Sequence, residues 1–177
     1  MAVHVAVVFE THSTSEDNEA GIATGWLPGR LSARGRGQAA LLGQRRRDDG
    51  LDVVFTSDLR RAVETAGIAF GSSPLRLVAD ERLRECNYGE LNGTAEPLHD
   101  RAAHIDVPYP AGESWHQAIA RVSGFLDELR RERAGERVLV IGHSATRFAL
   151  ELVANGRELE DVISEPFVWQ PGWEYAL

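Results

Sequence analysis

Two histidines and one arginine carry the chemistry that this chain can be expected to do. His12 follows one apolar run, His143 follows another, and Arg61 closes the polar stretch Ser57-Asp58-Leu59-Arg60-Arg61. Imidazole is a nucleophile and proton carrier near neutral pH, and guanidinium is a permanent cation with forked donors. Together they make an anion site that contains its own nucleophile. All 19 basic residues are arginine. The absence of lysine excludes a Walker-type phosphate lysine, a Schiff base and pyridoxal chemistry. Either histidine alone reads better as a structural residue. Both lying at strand ends, in segments that should be neighbours, favours a shared site.

Several strands must position these groups. His4 to Glu10 is a nearly continuous apolar run, as in a strand buried on both faces. It opens at Glu10-Thr11-His12-Ser13 into residues 13–31, which lack a period and read as a long functional loop. Ser32 caps a helix to about Arg47, with Arg45-Arg46-Arg47 as its solvated, dipole-favoured end. Asp52 to Thr56 is a second strand, and Ser57 caps a helix to about Phe70. Leu75 to Val78 is a third strand. Residues 83–112 read as irregular, punctuated by Pro97, Pro108 and Pro110, with 86–112 expected to cap the site and set specificity. Ser114 opens a helix in which Trp115, Ile119, Val122, Phe125, Leu126 and Leu129 recur every three or four residues. Arg137 to Ile141 is a further strand, followed by a helix from about Ala145 to Ala154 that stops at Asn155-Gly156. The tail from Phe167 reads as extended. This alternation predicts an α/β fold, a three-layer α/β/α arrangement with a mostly parallel sheet. In such sheets ligands sit beyond the carboxyl ends of the strands, where His12, Ser57–Arg61 and His143 fall.

A length of 177 residues suits one domain without an internal linker or repeat. A net charge of −8 argues against a nucleic-acid partner. Cys86 is the sole cysteine, which excludes an internal disulfide and a cysteine metal cluster. The start of the chain lacks a basic region with a cleavage site, and no apolar run approaches the roughly 20 residues of a membrane span. A cytoplasmic protein without a membrane partner is expected.

The ordered motifs resemble the histidine phosphatase superfamily, which also contains phosphoglycerate mutases. Thr11-His12-Ser13-Thr14-Ser15 stands where that family has R-H-G-E-[ST]. Asn18 and Thr24-Gly25-Trp26 resemble its phosphate-side loop, and Ser57-Asp58-Leu59-Arg60-Arg61-Ala62 with Thr65-Ala66 resembles its S-D-L-x-R-A-x-x-T-A helix start. Leu83-Arg84-Glu85 with Tyr88-Gly89-Glu90 and Gly93 looks like the segment bearing its acid. Gly112-Glu113-Ser114 resembles its G-E-S turn, and Val138 to His143 its second-histidine strand. The match runs from residue 3 to about 155.

The resemblance implies a phosphoglycerate mutase-like fold and hydrolysis of a small phosphorylated substrate. His12 would attack phosphorus, His143 and Arg61 would hold the transferring group, and Glu85 would protonate the leaving alkoxide. Thr11, Asn18, Thr24 and Ser144 are the further phosphate-binding positions. No metal or cofactor is implied, because imidazole and guanidinium neutralise the phosphate.

The departures surround the nucleophile. Thr11 replaces the family's arginine, which by analogy with a lost oxyanion donor costs about 3 kcal/mol, or ~100-fold in rate. Glu10 would repel a phosphate dianion if it pointed inward, Ser13 replaces a glycine, and Thr14 replaces a glutamate. Arg30, Arg84 and Arg147 are the candidates to fill the vacancy. Two readings follow, a phosphatase of altered specificity and a catalytically impaired homologue that binds an anion or a partner. Hydrolysis is favoured over mutase chemistry, since Asn92 to Pro97 lacks the clamping basic residues of the mutases.

Rival motifs are weaker. Gly142-His143-Ser144-Ala145-Thr146 is close to a nucleophile elbow, yet no histidine follows it to serve Ser144. Gly35-Arg36-Gly37-Gln38-Ala39-Ala40 matches a dinucleotide fingerprint without a preceding strand, so its glycines read as close helix packing or as tolerated surface residues. His99, His104 and His116 lack metal-ligand spacing. Trp169 and Trp173 read as a cover for the sheet edge or as a homodimer contact, and Cys86 as a buried small residue.

Overall fold

The computed structural model describes residues 4–96 and 99–177. Pro97, expected to punctuate the capping segment, lies outside the described residues. The principal strands are β1 (Ala6–Thr11), β3 (Val53–Thr56), β4 (Arg76–Ala79), β6 (Arg137–Gly142) and β7 (Trp173–Ala176). They form one sheet in the order β4-β3-β6-β1-β7. The first four are parallel, and β7 adds an antiparallel edge beside β1.

Both faces of the central strands are covered, which explains why they read as continuous apolar runs. Val8, Val54, Leu139 and Ile141 pack with Leu42 of α2 (Ala33–Arg45) and Ala62, Ala66 and Phe70 of α3 (Arg60–Phe70). Val7, Phe9, Val138 and Val140 pack on the other side with α4 (Trp115–Glu132) and α5 (Ser144–Asn155). Each fully buried aliphatic side chain contributes roughly 1.5–3 kcal/mol. A three-layer α/β/α sandwich is the result.

Local caps fix the helix ends. Ser32 accepts from Gly35 N, and Ser114 forms a reciprocal capping box with Gln117. Gly156, at φ 64°, ends α5 in the left-handed conformation that a residue with a Cβ resists. No helix among the described residues is long and apolar enough to cross a membrane.

Four local expectations need correction. Ser57 does not cap α3; the N-cap is Leu59, which makes no side-chain capping bond. Residues 13–31 contain a short helix, α1 (Glu16–Glu19), and β2 (Ile22–Ala23), which pairs with β5 (Thr94–Ala95). Two-residue strands paired across some 70 positions leave no local period to read. Arg46 is buried, not solvated, because it and Arg45 clasp the buried Glu10 carboxylate. The stretch before the tail holds α6 (Leu159–Ser164), and within the tail only Trp173 to Ala176 is strand. Trp173 lies over Phe9 at the sheet edge, with centroids 5.6 Å apart, whereas Trp169 is exposed.

Candidate active site

Register brings the two histidines together. Thr11 of β1 is the partner of Gly142 of β6, so the next residues of both strands emerge side by side. His12 N donates to Gly142 O at 3.0 Å. The rings of His12 and His143 lie 5.0 Å apart between centroids. Arg61 enters from the first turn of α3, beyond the end of β3, and bridges them. Its Nε donates to His12 Nε2 at 3.3 Å, and its Nη2 lies 3.3 Å from His143 Nδ1.

These contacts set the protons. His12 Nδ1 is 2.8 Å from the carbonyl oxygen of Ser13, which can only accept. Nδ1 therefore carries the hydrogen and Nε2 presents its lone pair. Arg61 can only donate, so His143 Nδ1 accepts, and its Nε2–H points to Ser57 Oγ at 2.7 Å. Burial first, then the Arg61 cation, pushes His12 down to about 3, with the Ser13 carbonyl working the other way. The same two causes, in the same order, hold His143 well below its ordinary value. Both rings are neutral near pH 7.

Arg61 is itself buried and heavily anchored. Its Nη2 donates to Gly25 O at 2.9 Å, and its carbonyl accepts from Thr65 Oγ1, which in turn accepts from Ser13 N. Gly25 sits at φ 55°, where an added Cβ would fall 1.8 Å from Asn92 Oδ1, so this close approach requires glycine. Burial lowers the Arg61 pKa, and the Glu85 carboxylate opposes that shift.

Glu85 lies across the cleft at the start of α5. Its Oε1 accepts from Cys86 N and Ala145 N, each at 3.0 Å, and its Oε2 accepts from Ser144 N at 3.2 Å. Anions are favoured at a helix N-terminus, where amides lack partners. The backbone of Glu85 is fixed as well, since Trp26 Nε1 and Arg121 Nη2 both donate to its carbonyl.

His12, Arg61, Glu85 and His143 all line one cleft of about 620 Å³. Thr11, Asn18, Thr24 and Ser144 line it too, but two of these side chains have local duties. Asn18 Oδ1 accepts from Ser15 N and Oγ in the α1 capping box, and Thr24 Oγ1 donates to Asp17. Glu10 also borders the cleft, held at its Oε1 by Arg45 and Arg46.

The arginines expected to fill the Thr11 vacancy are engaged elsewhere. Arg30 pairs with Glu16 at the surface, and Arg84 pairs with Asp58 and stacks on Trp26. Arg147 borders a small side recess with Thr11, its guanidinium over Trp173 and 3.8 Å from Glu165. Beside Arg61, the arginines lining the main cleft are Arg34, Arg45 and Arg101.

The rival motifs have other places. Gly35 permits close packing, since a Cβ there would meet Thr14 O at 1.9 Å, whereas Gly37 faces open space. The ring of His104 stacks on Tyr109, His99 is 3.0 Å from Thr94 Oγ1, and His116 pairs with Asp106. Cys86 is fully buried, and burial pushes its thiol up.

Sequence reasoning missed Ser57, Trp26, Arg121 and Arg45 as parts of the site. Ser57 and Trp26 stood inside motifs already singled out. Arg121 lies on α4, where only the apolar stripe gave a signal.

Comparison with known proteins shows the family and the fold. Residues 8–165 match the histidine phosphatase superfamily (branch 1). The chain is 34% identical over 173 residues to the 2,3-bisphosphoglycerate-dependent phosphoglycerate mutase of Methylobacterium sp. (strain 4-46), covering 88% of this chain and 83% of the relative. Among solved structures, Bacillus stearothermophilus YhfR superposes with a TM-score of 0.84 at 25% identity, covering 94% of this chain and 88% of the other. The mycobacterial glucosyl-3-phosphoglycerate phosphatase in complex with VO3 superposes at 0.75 with 24% identity, covering 91% and 86%, a likeness of fold.

Proposed function

Because the chain belongs to the histidine phosphatase superfamily, we propose that it hydrolyses a phosphomonoester through a phosphohistidine intermediate. The observation that carries this reading is Arg61 touching both imidazoles while Ser13 fixes the tautomer of His12. His12 Nε2 attacks phosphorus, a P–N bond forms and the ester P–O bond breaks. The phosphate monoanion gives its proton to the Glu85 carboxylate, which passes it to the departing oxygen. Water then gives its proton back to Glu85 and attacks phosphorus, releasing phosphate and neutral His12. Arg61 neutralises charge on the equatorial oxygens, and His143, its one N–H held by Ser57, backs the guanidinium by accepting from it at Nδ1. These residues need no metal for the charge they handle.

Hydrolysis rather than mutase chemistry is our reading of the wall after the acid, where Glu96 lines the cleft beside a single cation, Arg101. A substrate clamp for a second acidic group would place several cations there, whereas among the described residues of this segment Arg101 alone does so. The observation favouring a non-catalytic anion-binding module is Thr11, whose hydroxyl stands where the family has a guanidinium. Incubation with p-nitrophenyl phosphate, with and without chelator, separates the two readings. Slow turnover that is insensitive to chelator and abolished in His12→Ala supports hydrolysis. Equal rates in wild type and His12→Ala reject His12 as the nucleophile. No turnover across a broad panel of phosphate esters favours the binding module.

A further inference from the structure

The cleft extends past the phosphate chemistry onto an apolar wall that the capping segment does not supply. Leu41 of α2 and Phe167 and Trp169 of the tail line it, although these side chains are 58%, 57% and 57% exposed. Large apolar side chains left open in a cleft that also holds a nucleophile mark a ligand surface. The wall is tied in place from below, since Arg46 Nη2 donates to Pro171 O at 2.8 Å while its Nε holds Glu10. Phe167 and Thr11 together line both the main cleft and its side recess. Thr11, the neighbour of His12, is thus a short residue at the border of both cavities.

We infer that the Leu41, Phe167 and Trp169 wall is the subsite for the alcohol part of the substrate, and that it takes a flat, apolar, aromatic group. This rests on the phosphomonoester reading, because a phosphate held between His12 and Arg61 must direct its ester substituent into this same cleft. A ring seated against Trp169 and Phe167 gains offset or edge-to-face contact in addition to buried area. Thr11 then has a second consequence besides the lost guanidinium, since it admits a bulkier ester.

Calorimetric titration of the full chain with phenylphosphonate and with methylphosphonate tests this without requiring turnover. Phenylphosphonate is expected to bind about tenfold more tightly, the scale of one well-packed ring. Trp169→Ala is expected to cut that ratio several-fold, and Thr11→Arg to tighten methylphosphonate while lowering the ratio. Equal affinity for the two ligands overturns the aromatic subsite and leaves the phosphatase reading standing. A ratio unchanged in Trp169→Ala, with sedimentation showing that the variant has turned a dimer into a monomer, overturns it in favour of a contact between two copies. Binding of neither ligand sinks the phosphate site and the subsite with it.

Discussion

Ser57 Oγ lies 2.7 Å from His143 Nε2, joining the end of β3 to the end of β6 behind the site. The contact is buried and fixes the ring that faces Arg61. Ser57→Ala removes the acceptor of the Nε2 hydrogen and frees the ring to turn. On the proposed phosphatase reading, kcat on p-nitrophenyl phosphate should fall about tenfold, less than the ~100-fold that a 1 Å misplacement can cost. Ser57→Thr, which keeps the hydroxyl, should recover most of the rate. Full activity in the alanine variant would show that His143 is oriented by other contacts.

Stability should depend on pH through the two site imidazoles, His143 buried and His12 half-buried beside Arg61. The His12 pKa is lowered from 6.5 to about 3 on folding, so within that window the unfolded chain binds a proton that the native chain refuses. Stability is then complete above 6.5 and is lost as pH falls toward about 3, by at most roughly 1.4 kcal/mol per pH unit for each such histidine. Urea midpoints measured between neutral and mildly acidic pH should fall less steeply in His12→Asn than in wild type. Parallel slopes would contradict the neutral state of His12.

The Glu10 carboxylate is buried and shared between Arg45 and Arg46, and Arg46 also holds Asp49. Arg46→Met leaves that carboxylate with the half-buried Arg45 alone. Breaking such a pair costs about 3 kcal/mol, readable as a lower urea midpoint. The same change frees Pro171 O, so amides around residue 170 should exchange faster. A variant as stable as wild type would mean that Arg45 alone suffices for Glu10.

Gly35 holds α2 against the loop that follows His12. Gly35→Ala must push the helix away from Thr14 O, at about 2 kcal/mol for overpacking. Gly37→Ala, in open space four positions before Leu41, should instead stabilise the helix by roughly 0.5–1 kcal/mol. Thermal unfolding of the two variants should therefore shift in opposite directions.

Much of this was legible in the chain. Val5 to Phe9 and Val138 to Ile141 are apolar without interruption because both faces of their strands are covered, and a parallel sheet follows from that. Ser32, Ser114 and Gly156 mark helix ends by chemistry confined to a few neighbouring residues. The polar breaks after these strands located His12 and His143, and the absence of lysine left arginine as the cation. Each signal is local in the chain, or repeats with the period of its element.

Pairings over long separations were decided only by the tertiary structure. The run Arg45-Arg46-Arg47 looks like a solvated helix end until Glu10, over 30 residues earlier, is found beneath two of its members. Ser57 looks like a helix cap until β3 and β6 lie side by side and bring its hydroxyl to His143. The tail reads as a cover for the sheet edge, as Trp173 over Phe9 is, until the folded chain sets Arg46 on Pro171 O and lines the cleft with Phe167 and Trp169. Composition and periodicity record what a residue needs, burial or solvent or a partner. Which distant partner meets that need is settled by strand order and register, and these exist only once the chain has folded.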